Sequence, residues 1–126
     1  MGDISDFKRR ARASIEAGRK AGYEAVRKEA KEIALAIRRA APRGSGKLQE
    51  SVRLETVEAK ARVLIKAGGP TTTEHGYDYS LGTEWGTVKT PAQPFFYPMW
   101  RLHRRTARSR INKTVKDAVN KAWAGG

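Results

Sequence analysis

The chain has no cysteine, only two histidines, and in residues 95–126 a single acidic side chain, Asp117. Without cysteine there are no disulfides, no thiolate nucleophile and no sulfur-ligated zinc, and the redox compartment is not indicated. His75 and His103 are not spaced as metal ligands. A serine nucleophile would need a paired histidine and an orienting acid, and no strand–turn–helix elbow presents one. No apolar run approaches the roughly 20 residues that span a bilayer, and the N-terminus lacks the apolar stretch of a signal peptide. The expectation is a soluble protein made and used without secretion, with no membrane, cofactor or metal and no enzymatic activity.

What is abundant is positive charge. The net formal charge is +13 over 126 residues, a length that suits one domain with a modest core. Its distribution is uneven: eleven basic against six acidic residues in 1–41, seven against six in 42–94, and eight against one in 95–126. The two ends therefore carry nearly all of it. Lysine and arginine often do no more than solvate helix faces, but the C-terminal run fits a polyanionic or acidic neighbour.

Residues Ile4–Ala40 show helical periodicity. Phe7, Ala11, Ile15, Gly18, Gly22, Ala25, Val26, Ile33, Ile37 and Ala40 fall on one stripe, with Arg9, Arg12, Lys20, Arg27 and Lys31 away from it. Such a helix would span about 50 Å at 1.5 Å per residue. A domain of this size has a radius of gyration near 14 Å, so a continuous helix overhangs it and needs a covering surface, for example a neighbouring subunit. Gly18 and Gly22 leave two alternatives: close approach by a partner, or a break that leaves residues 1–19 mobile or partner-bound.

Pro42 and the glycines after it end this helix. Residues 48–57 alternate, with Leu48, Val52 and Leu54 on one face and Ser51, Arg53 and Glu55 on the other. Val63, Ile65 and Ala67 repeat the pattern after a polar turn at 58–60, so a hairpin with one wet face is expected. A polar loop follows at 68–76, then a third strand at 77–83 with Tyr77, Tyr79 and Leu81 on one side. The sheet region is 42–94. Gly44-Ser45-Gly46-Lys47 lacks the full phosphate-loop spacing, and the element after it reads as a strand, which argues against nucleotide binding.

The aromatics, glycines and prolines are densest at 77–99, which reads as the joint between sheet and last helix. Glu84, beside Trp85, has no second carboxylate near it and reads as a structural acceptor or ion-pair partner. Gly46 and Gly86 permit tight turns, Trp85 and Phe95 supply large apolar anchors, and Pro94 and Pro98 fix the approach of a helix over 95–124. In the first half of that helix Phe96, Met99, Trp100, His103 and Ala107 share a face, roughly opposite Arg101, Arg104, Arg105 and Arg108. In its second half Ile111, Val115, Val119, Ala122 and Trp123 form a stripe turned by about 100°. The expectation is a bend near Ser109, or docking of the distal half on another surface such as a second copy.

Three segments carry a family resemblance. Ala41-Pro42-Arg43-Gly44-Ser45-Gly46-Lys47-Leu48-Gln49-Glu50-Ser51-Val52 resembles the A-P-x-D-T-G-x-L-x-x-S-I signature of the tail-component (tail-completion, head–tail joining) family of long-tailed bacteriophages. Tyr79 through Glu84, Trp85, Gly86 and Thr87 resembles its Y-x-x-x-x-E-[FW]-G-T segment, and Ala92-Gln93-Pro94-Phe95-Phe96-Tyr97-Pro98-Met99 its A-x-P-F-[LF]-x-P-[AM] segment. Order and spacing agree over residues 20–120. Gly44 stands where the family often has an acid and Ser45 where it often has threonine, which weakens any cap of that turn.

The resemblance implies an α+β fold, with a long N-terminal helix, a small antiparallel sheet of three to four strands and a C-terminal helix. It implies a virion location in the tail or neck after synthesis in the host cytoplasm. Its partners would be connector, terminator or tail-tube proteins, within a homo-oligomeric ring in the virion, a monomer being the alternative state of the isolated protein. On this reading Pro42, Gly46, Leu48, Ser51, Tyr79, Glu84, Trp85, Gly86, Thr87, Pro94, Phe95 and Pro98 keep the fold. Arg101, Arg104, Arg105, Arg108, Ile111, Val115, Val119 and Trp123 form the contact surface, toward protein or, non-specifically, genomic DNA. The rival from another class is a stand-alone basic nucleic-acid-binding module. Against it, the aromatics cluster around Pro94 and not among the arginines.

Overall fold

A computed structural model describes residues 3–44 and 46–125. Its first element, α1 (Ile4–Ala40), is one continuous helix of 37 residues, about 55 Å long at 1.5 Å per residue. The Asp3 carboxylate caps it by accepting the Asp6 N–H at 2.8 Å, and Pro42 stops it by holding Ala41 extended. The helix therefore runs unbroken through Gly18 and Gly22, and from residue 4 onward the alternative of a break with a mobile 1–19 segment is set aside.

The fold is α+β, mostly helical. After α1 come a short helix α2 (Lys47–Ser51), then β1 (Arg53–Val57) and β2 (Arg62–Lys66), paired antiparallel with Leu54 opposite Ile65, and a two-residue strand β3 (Thr73–Glu74). β3 pairs antiparallel with β4 (Tyr77–Asp78), after which come α3 (Tyr79–Trp85) and α4 (Tyr97–Gly125). The expected three- to four-stranded sheet is two separate two-stranded ribbons. Two of the expected strand stretches are helices. Leu48 and Val52 lie four apart, a spacing that fits both a strand face and a helix face, and here Lys47–Ser51 is the helix. Ser51, expected on the wet face, is buried. Residues 79–83, expected in a third strand, belong to α3, which the Asp78 side chain caps through the Ser80 N–H at 3.0 Å.

The core sits where the C-terminal half of α1, α2 and the start of α4 meet. Ile33, Ile37, Ala41, Leu48, Val52, Phe95 and Ala107 are buried there, with Ile65, Ala67, Tyr79, Phe96 and Met99 packed against them. Beyond this base α1 and α4 continue side by side, antiparallel, as a two-helix arm. Glu29 of α1 meets Arg110 of α4 at 3.3 Å. Val115 and Val119 lie against Gly18 and Gly22. At the tip Phe7 packs edge-on against Trp123, ring centres 5.6 Å apart, and Arg10 lies over the same indole while donating to the Trp123 carbonyl at 2.7 Å.

Part of the overhanging stripe of α1 is thus covered by α4 of the same chain, while Ile4, Phe7 and Ile15 stay exposed. Likewise the distal stripe of α4 docks on its own α1. The two faces of α4 belong to one row spaced by four residues: His103, Ala107, Ile111, Val115, Val119, Trp123. Such a row is inclined by about 26° to the helix axis, so it winds from the base face to the arm face without a second docking surface.

Candidate assembly interface

The three segments that carry the family resemblance are brought together in space. Leu48 and Val52 from the first and Phe95 from the third share the core. Glu84 from the second joins them through its buried carboxylate, which accepts three backbone N–H groups at the entry to α4: Phe95 at 2.8 Å, Phe96 at 2.9 Å and Tyr97 at 3.1 Å. A helix start leaves unsatisfied donors and a partial positive charge, and a carboxylate answers both. The next residue, Pro98, has no N–H to satisfy. Glu84 is thus a structural acceptor, one of the two roles expected for it.

The remaining motif residues hold turns or pack against the core. Gly46 caps α2 at φ +84°. Gly86, at φ +83°, lies so near Ala92 that a Cβ there would come within 2.9 Å of its backbone nitrogen. The Thr87 hydroxyl accepts the N–H groups of Lys89 and Thr90. Ser51 donates to the Leu48 carbonyl and accepts the Gly68 N–H at 2.9 Å. Tyr79 opens α3 and packs against the core. Pro42 is half-buried, and Pro94 is exposed in the loop three residues before α4, which starts at Tyr97 and not at Pro94. Ser45 lies outside the described residues. The element that begins at Lys47 is the helix α2 and not the expected strand, but the phosphate-loop spacing is still missing.

Trp85 departs from expectation most clearly. Far from being a buried anchor it is 66% exposed, its ring tilted against that of Tyr97 with centres 5.5 Å apart, while Phe95 is 2% exposed. Leu81, Tyr97 and Trp100 are also exposed, so the joint presents an apolar surface around a buried polar cap. Depressions of about 400 and 280 Å³ lie beside it and share Ile65, Phe96 and Tyr97.

Of the expected contact surface, Arg101, Arg104, Arg105 and Arg108 are all exposed and meet no acid among the described residues. Arg110 is different, engaged by Glu29 and Glu32. Ile111, Val115 and Val119 are half-buried against α1, and Trp123 closes the arm. The structure therefore separates that list into an open arginine stretch and an intramolecular seam.

Sequence reasoning passed over one organising group, Asp78. Its carboxylate accepts the Thr72 hydroxyl at 2.6 Å, the Gly69 N–H at 2.9 Å and the Ser80 N–H. Burial pushes its pKa up, but these hydrogen bonds together outweigh that and leave it below the usual carboxylate value. The available signal was an aspartate directly before a helical turn.

Among the described residues no cluster of three or more His, Asp or Glu could hold a metal ion, and no helix is long and apolar enough to cross a membrane. No family model, curated protein or solved structure matches the chain.

Proposed function

We propose that this protein is a structural part of a long-tailed phage virion, acting at the neck in tail completion or head–tail joining by assembling into a ring with neighbouring proteins. The observation that carries this reading is the convergence of the three resembling segments. Lying up to some fifty positions apart, they form one knot in which Glu84, Phe95, Leu48 and Val52 depend on one another. A chance likeness at three separate places gives no reason for such a joint. The exposed Leu81, Trp85, Tyr97 and Trp100 add support, because apolar groups gathered at a surface mark contact sites. No group is arranged for catalysis in this reading, and the protein acts by contact alone.

Mass spectrometry of purified virions, with purified protein mixed with connector and tail-tube proteins, tests it. The expected result is presence in the particle and binding to at least one of them. Absence from mature particles together with no binding to either would sink the reading. The four open arginines keep a nucleic-acid-binding module as the second reading. That module requires sub-micromolar duplex binding at physiological salt with a steep salt slope, where an assembly protein binds duplex weakly.

A further inference from the structure

The outer edge of β2 borders a cleft. β1 covers one edge of the strand, and among the described residues no strand pairs with the other. The larger depression, between α1, β2 and the first half of α4, touches Val63, Leu64 and Ile65 in succession. Consecutive side chains of a strand point to opposite faces. A cleft that meets three in a row therefore meets the strand at its edge, where alternate N–H and C=O groups are directed outward. The smaller depression continues along Ile65, Lys66 and Ala67 as far as Trp85. Phe96, just before α4, and Tyr97 and Trp100 of α4 also line it.

The charge around this cleft is one-sided. Arg104 and Arg108 border it, and Arg62 stands at the start of β2, each exposed and without an acidic partner among the described residues. The two carboxylates in its lining are already committed, Glu29 to Arg110 and Glu84 to the start of α4.

We propose that this cleft takes an acidic, extended segment of another protein, which adds to β2 as a third strand. Main-chain hydrogen bonds along the edge would hold it, one set of alternate side chains resting on the apolar wall and the other meeting the arginines. A second copy of this chain is a poor occupant. The copies share a net charge of +13, and the irregular segment 86–94 carries Lys89, two prolines and no acid. The proposal stands on the geometry alone, independent of any place in a virion.

The test uses the full chain and a fluorescein-labelled ten-residue peptide alternating valine and glutamate, followed by anisotropy at physiological salt. The glutamates keep the probe from pairing with itself. Binding is expected, weakened at least tenfold by R104E/R108E. The R101E/R105E variant, with the same charge change away from the cleft, should bind within twofold of the parent. A peptide N-methylated on alternate backbone nitrogens should bind at least tenfold more weakly in one of its two phases. Circular dichroism of each variant verifies folding.

Equal loss in both arginine pairs would reduce the effect to general electrostatics and overturn the proposal. So would unchanged binding of both N-methylated peptides, or no binding of the parent peptide. Sedimentation showing self-association abolished by R104E/R108E would assign the cleft to a second copy instead. Any of these failures leaves the virion reading to its own test of particle composition.

Discussion

Around Phe95, the base of the molecule buries seven apolar residues from α1, α2, α4 and the loops beside them, and closes the entry to α4 with a buried carboxylate. Along the arm, α1 buries only Ser14 and Gly18 in its first 25 residues, and the helices are held by a row of small and branched side chains with one aromatic clasp. The base is specified by shape and by polar satisfaction together. The arm is specified mainly by how closely two backbones can approach. A base of this kind should fail as a whole when one part is removed, whereas the arm should loosen locally.

Replacing Phe95 with alanine tests that contrast most strongly. Removing a fully buried phenylalanine costs about 3–5 kcal/mol, seen as a lower urea midpoint with an unchanged slope. A loss under about 1 kcal/mol would deny the base its central role. Next comes Glu84→Gln, which keeps the size but removes the charge and turns an amide toward three donors. About 2 kcal/mol should be lost, with faster hydrogen exchange at the first turn of α4.

In the arm, Gly18→Ala gains up to about 1 kcal/mol of helix propensity. Its new Cβ, however, would stand 2.6 Å from Cγ2 of Val119. A net loss of about 1 kcal/mol is expected, recovered in the G18A/V119A double variant; strict additivity of the two changes would show that the helices do not meet there. The smallest effect belongs to Trp85→Ala, expected below about 0.5 kcal/mol in a thermal melt because the side chain is mostly in water already. A loss comparable to that of Phe95→Ala would return Trp85 to the core.

The same contrast explains what could be read from the chain. The bounds of α1 were legible, since its stripe is long and Pro42 marks its end. The β1–β2 hairpin was legible in its second half. α2 was not, because Leu48 and Val52 satisfy two periodicities at once. α3 was hidden for a different reason: its buried positions, Ser80 and Glu84, are polar, so no hydrophobic pattern betrays it, while Tyr77, Tyr79 and Leu81 happen to alternate. The exposure of Trp85 is not legible, because a large apolar side chain does not by itself indicate burial. The intramolecular arm escaped notice because a four-residue row changes apparent face on a wheel, and a wheel shows one helix without its partner. At the candidate site the open arginines were legible as exposed charge. The vacant edge of β2 was not, since strand pairing is a property of two segments and not of one.

The Arg10–Trp123 contact joins positions 113 apart in the chain. During synthesis α1 is complete long before α4 exists, and the row of Gly18, Gly22, Val26 and Ala30 has nothing to lie on until the last residues emerge. Closing so long a loop adds entropy loss that local pairings such as β1–β2, or the Glu84 cap eleven residues from Phe95, avoid. The joint around Phe95 is therefore expected to form first and the arm to zip from base to tip. In pulsed hydrogen exchange during refolding, the amides of residues 7–18 and 115–123 would then gain protection last, and together.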